Sequence, residues 1–148
     1  MTRTDVRPAP GHGTLLAADV GELVGVSGTT IGQWARRGYI RSSRSEAEPR
    51  VYTVEDVAEA SIVRALLDRG VRRVEIRRAI ERLRETGRRW PLTDARLATL
   101  FTDPANPHLR PRLLLHEDGG WLELRPRGWQ RVVPIGELDE VRLRLRTT

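Results

Sequence analysis

Between Ser27 and Arg50 the chain sets out hydroxyl, carboxamide and guanidinium groups at short spacing: Thr29, Thr30 and Gln33, then Arg36, Arg37, Arg41, Arg44 and Arg50. Short polar side chains can reach the hydrogen-bonding edges of a planar base, and guanidinium forks match phosphate oxygens two at a time. Together they are the chemistry of a polyanion held by its backbone and read at its edges. Five Arg face two Glu in this stretch, and the whole chain carries a net charge of +6 with no lysine at all. A basic balance favours an anionic partner, because each neutralised phosphate releases counterions.

Other chemistries are excluded more easily. There is no cysteine among the 148 residues, so disulfides and thiolate metal sites are ruled out. His12, His108 and His116 are scattered without ligand spacing, and neither a metal nor an organic cofactor is expected. No nucleophile–base pair or glycine-rich phosphate loop is visible, and Asp103, Glu117 and Asp118 fall in turn segments where acids are ordinary. No catalysis is expected. No apolar run approaches the roughly 18 residues that a membrane span needs. Met1 to Gly13 lacks a signal-like apolar stretch, so the expectation is a cytoplasmic protein that does not engage membranes.

The polar groups need elements to hold them. Residues 1–13, with Pro8, Pro10, Gly11 and Gly13, read as a disordered lead-in. Leu16, Val20, Leu23 and Val24 share one helical face, and Gly25 stops that helix. Ser27 caps a second helix that Gly38 ends, and Ile31 and Trp34 lie on its inward face. Two short helices across a glycine turn spell a helix-turn-helix. Residues 39–50 are polar and turn-rich, and with Arg50-Val51-Tyr52 predict a wing beside the helix pair. Thr53 and Asp56 form an acidic relative of the capping box for a third helix, which closes at Gly70. A fourth runs from about 73 to 85, with Arg72, Arg73, Arg77 and Arg78 mainly on its solvated face.

Beyond Pro91 the character changes. Residues 92–100 read as a short helix, 112–116 and 121–125 as strands of a hairpin, and 131–133 as a third strand. Residues 135–140 read as helix or turn, and the alternation over 141–146 as a half-buried strand. The expected fold is α+β: an N-terminal winged helix-turn-helix four-helix domain over 14–87, then a small β-rich C-terminal segment over 88–148.

The spacing over 20–83 resembles a MerR-type DNA-binding domain. The matching fragments are Val24-Gly25-Val26-Ser27, Thr30-Ile31 with Trp34, Arg37-Gly38-Tyr39-Ile40, Arg50-Val51-Tyr52-Thr53, Glu55-Asp56-Val57, Leu66 to Gly70, and Glu75-Ile76. The resemblance implies a transcriptional regulator whose partner is double-stranded DNA. Ser27, Thr29, Thr30 and Gln33 would meet the duplex from the recognition helix, Arg36, Arg37, Arg41, Arg44 and Arg50 would grip phosphates, and Tyr52 would touch a phosphate or pack. Three features depart from the family. Gly32 stands where an arginine is common, Glu46 and Glu48 occupy the wing, and the long dimerising helix is missing.

The C-terminal segment resembles the tail of some MerR-like antitoxins, through Gly128-Trp129-Gln130 and the hydrophobic hairpin. On that reading a toxin nuclease would be a protein partner, and Leu113, Leu115, Trp121 and Trp129 would form the contact. The same residues could pair two copies or simply pack. A DNA-architectural role is a further alternative. One small recognition helix reads too little sequence alone, so a homodimer on a pseudo-palindrome is expected, with Val141, Leu143 and Leu145 as the candidate seam.

Overall fold

The computed structural model describes residues 14–41, 50–101, 105 and 110–145. The lead-in, Arg44 and the rest of the expected wing turn lie outside the described residues. The chain divides into two compact units, Met1–Ala60 with Leu145–Thr148, and Ser61–Arg144. The architecture is α+β. Four helices, α1 (Ala17–Val24), α2 (Gly28–Arg36), α3 (Val54–Asp68) and α4 (Arg73–Glu85), precede five strands. These are β1 (Arg96–Phe101), β2 (Arg112–Glu117), β3 (Gly120–Arg125), β4 (Gly128–Val132) and β5 (Glu137–Glu140).

In the first unit, the Asp19 carboxylate accepts the Leu16 N–H at 2.8 Å and so opens α1. Gly25, at φ 92°, closes it. Val20 and Val24 turn inward with Ile31 and Trp34 of α2. The turn between the helices is tight enough to need Gly21: a Cβ there would stand 2.5 Å from the Val26 carbonyl oxygen and 3.0 Å from the Ser27 carbonyl carbon. Both obstacles are backbone, so the clash cannot be relieved by a rotamer change. Gly21→Ala is expected to destabilise this unit by about 1–3 kcal/mol through forced separation of α1 and α2. Denaturant titration followed by helical circular dichroism would show the loss, and an unchanged midpoint would mean the turn is looser than described.

Thr53 and Asp56 build the capping box read from the sequence. The Thr53 N–H donates to Asp56 Oδ2 at 2.8 Å, and the Asp56 N–H donates to Thr53 Oγ1 at 3.1 Å. Gly70, at φ 91°, ends the turn after α3. On α4, Ile76, Ala79, Ile80 and Leu83 repeat at helical spacing and are all buried.

The strands form one antiparallel sheet in the order β4-β3-β2-β1-β5. The β2–β3 hairpin turns at Asp118 and Gly119, both at positive φ, as a two-residue turn of this hand requires. Here three sequence expectations are corrected. Residues 96–101 are strand, not helix: Leu97, Ala98, Thr99 and Leu100 are four consecutive buried residues with ladders on both sides. A short apolar run of that kind fits either period until its partners are known. Residues 137–140 are also strand, with Leu138 paired opposite Leu100. Residues 141–145 are not strand. After the Val141 N–H donates to the Leu97 carbonyl, the Arg144 N–H turns to the Ser61 hydroxyl at 2.7 Å instead of a ladder. Leu143 and Leu145 are about half exposed and Val141 is buried, so the three do not form a common strand face.

Candidate nucleic-acid interface

Ser27 positions the start of α2. Its Oγ accepts the Thr30 N–H at 3.0 Å and lies 2.9 Å from the Thr30 hydroxyl. Both hydroxyls are thus engaged in the N-cap, and Ser27 acts on the site by fixing where the helix begins. The outward stripe that follows is Thr29, Gln33, Arg36 and Arg37, spaced four, three and one residues apart and all exposed. Ile31 and Trp34 hold the opposite face at 0% and 2% exposure. Past the helix, Gly38 at φ 82° turns the chain, the Tyr39 N–H donates to the Trp34 carbonyl, and Tyr39 and Ile40 plug inward. The turn leaves Arg41 on the surface.

Tyr52 corrects the expectation that it could touch phosphate. It is 0% exposed, and its backbone bridges Leu15 in both directions, so the ring is part of the core. Among the described residues its buried hydroxyl has no hydrogen-bond partner. Burial raises its pKa, against the opposing pull of Arg50 and Arg36. Those two cations, distant in sequence, therefore both act on one hydroxyl. Asp56, 3% exposed, is also held above the ordinary carboxylate range by burial, while the Thr53 hydrogen bonds and Arg41 favour its charged form.

Arg36, Arg37 and Arg50 differ in ion pairing from ten arginines further along the chain. Arg64, Arg69, Arg72, Arg77 and Arg82 each hold a carboxylate, as do Arg88, Arg96, Arg112, Arg125 and Arg142. Among the described residues, Arg36, Arg37 and Arg50 hold none. Their donors are available to an external anion. Sequence reading found these residues but could not tell them from the paired arginines of α4, because pairing is decided by three-dimensional neighbours.

The proposed contact in the β-rich segment is only partly supported as a surface. Leu113 and Leu115 are each 1% exposed in the central strand β2, flanked by β1 and β3, and are packing residues. Trp121 and Trp129 are half-buried. Trp121 packs edge-on to His116 with ring centres 4.8 Å apart, and the Arg96 guanidinium lies 5.8 Å from its ring centre. The more exposed apolar groups are Val133 and Ile135, at 85% and 80% exposure, just past β4. The sequence reading places Val133 at the end of a strand and Ile135 in a helix or turn, and singles out neither as a surface group. No group of three or more potential metal ligands occurs among the described residues. No described helix is long and apolar enough to cross a membrane.

Comparison with known proteins finds similarity in the helical region. Residues 17–83 match the family described as MerR HTH family regulatory protein. Three curated proteins, from Mycobacterium bovis and two strains of Mycobacterium tuberculosis, are named uncharacterised HTH-type transcriptional regulators. Each is 31% identical over 86 residues, covering 55% of this chain and 36% of its own length. The chain thus spans little more than a third of the length of these relatives. No solved structure matches it significantly.

Proposed function

We propose that this protein is a sequence-specific regulator of transcription that binds double-stranded DNA, starting from the match of residues 17–83 to the MerR HTH family. In this reading α2 enters the major groove. Thr29 and Gln33 meet base edges, with Thr30 held back by its bond to Ser27, while Arg36, Arg37, Arg41 and Arg50 hold phosphates on either side. Arg44 and the rest of the wing would extend that grip. The observation that carries the proposal is the exposed pair Arg36 and Arg37, which hold no carboxylate among the described residues, beside the exposed polar stripe of a fixed helix. No reaction is assigned to the protein, and it requires no cofactor.

The test is binding of the purified protein to its own promoter fragment and to scrambled DNA over a salt series. Preference for the promoter with a steep salt dependence is expected. Equal and weak binding to both fragments would overturn the proposal. Within the same assay, Gln33→Ala should narrow the preference by roughly 10-fold, the scale of one lost base contact, while leaving the salt slope unchanged. A changed slope with intact preference would instead place Gln33 on the phosphate backbone.

A further inference from the structure

The five-stranded sheet has two free edges, β5 and β4, and they differ in chemistry. β5 carries Glu137, Asp139 and Glu140 within four residues, with Asp139 and Glu140 already held by Arg69, Arg96 and Arg142, so a second copy laid along it would crowd these ion pairs. β4 reads Gly-Trp-Gln-Arg-Val, carries a single charge, and runs directly into the exposed Val133 and Ile135. An edge of this kind, low in charge and followed by exposed apolar groups, is a template for strand addition unless something covers it. We infer that a second copy of this chain covers it, pairing β4 with β4 antiparallel about a two-fold axis at Gln130.

The register follows from charge and proline. In a two-fold antiparallel pair, the residue on the axis faces its own copy and its neighbours exchange partners. An axis at Arg131 opposes two guanidiniums directly. An axis at Trp129 puts Arg131 opposite Arg127, and one at Gly128 puts it opposite Arg125. An axis at Val132 places Pro134, which has no N–H, inside the paired stretch opposite Gln130. With Gln130 on the axis, Arg131 falls opposite Trp129 of the second copy, where a guanidinium can lie over the indole face. Val133 then reaches the same ring diagonally. Both halves of the contact are identical, so the pairing closes at two.

This dimer is a property of the β-rich unit and is measured without DNA, so its failure would leave the DNA-binding proposal standing. The absence of native cysteine makes a direct test available. Directly opposed residues have Cα atoms about 4.5–5.5 Å apart, within disulfide reach. Under mild oxidation, Gln130→Cys should form a covalent dimer in most molecules, and Leu143→Cys, half exposed but off the edge, should form little. Gln130→Arg supplies the non-covalent arm. In one chain it would stand opposite Glu123 and keep its fold. In the dimer it would oppose its own charge, and sedimentation equilibrium should show a dissociation constant at least about 10-fold higher than that of the unsubstituted protein. The inference is overturned by any of three results: an unsubstituted protein that sediments as monomer at all concentrations, equal cross-linking of the two cysteine variants, or a Gln130→Arg constant that does not move.

Discussion

Replacing Arg36 and Arg37 together by alanine should lower affinity for duplex DNA roughly 100-fold at about 0.1 M salt, because two charge-assisted phosphate bonds of about 1.5 kcal/mol each disappear. Neither side chain is committed to a carboxylate in the described structure, so the substitution removes no internal ion pair and leaves no buried charge behind. The dependence of log affinity on log salt should flatten by about 2, one unit for each phosphate contact. Preference for the promoter over scrambled DNA should persist, since phosphate contacts hold position without reading sequence. Substituting Arg77 and Arg82 in the same way is the informative control. Each is partnered by a glutamate three or four residues on, and the loss should be slight. If both doubles weaken binding equally, the interface is a diffuse basic surface and not the α2 stripe.

Trp34→Ala should cost about 3–5 kcal/mol of stability, the range for emptying a buried tryptophan site. Trp34 is 2% exposed and anchors α2 from below, while its carbonyl receives the Tyr39 N–H that turns the chain toward Arg41. Set against a typical total of about 5–15 kcal/mol, the loss would leave α2 partly melted near body temperature. Urea titration followed by circular dichroism measures it directly. The remaining tryptophans, Trp90, Trp121 and Trp129, lie in the second compact unit and report its transition separately by fluorescence. A midpoint that scarcely moves would mean that Trp34 is peripheral to the helix pair.

The helical part of the fold was legible in the sequence because its signals are local. Ser27 three residues before Thr30, Thr53 three before Asp56, and glycines at 25, 70 and 87 are start and stop marks whose partners lie within one turn. The sheet was legible only at its hairpin, where Asp118-Gly119 fixes the turn. β1 and β5 find each other across some forty residues, and nothing local distinguishes Leu97-Ala98-Thr99-Leu100 as strand. The site divides along the same line. Exposure of Thr29, Gln33, Arg36 and Arg37 followed from helical spacing. The burial of Tyr52 depended on its bridge to Leu15, and that of Leu113 and Leu115 on flanking strands, none of which the residues themselves announce.

The position of β5 has a consequence for how the protein survives its own folding. Strands β1 to β4 follow one another as a meander whose neighbours are adjacent in sequence, whereas β5 is reached last along the chain and must return to the far side of β1. Until it docks, β1 is itself an open margin, with Leu97, Ala98 and Leu100 beside unpaired amide groups, a species prone to join other chains. The late strand that seals it carries Glu137, Asp139 and Glu140, whose charge before docking opposes association with further molecules and after docking is met in part by Arg69, Arg96 and Arg142. β5 therefore works as a gatekeeper. Shortening the protein before Glu137 would cost solubility before it cost helical structure.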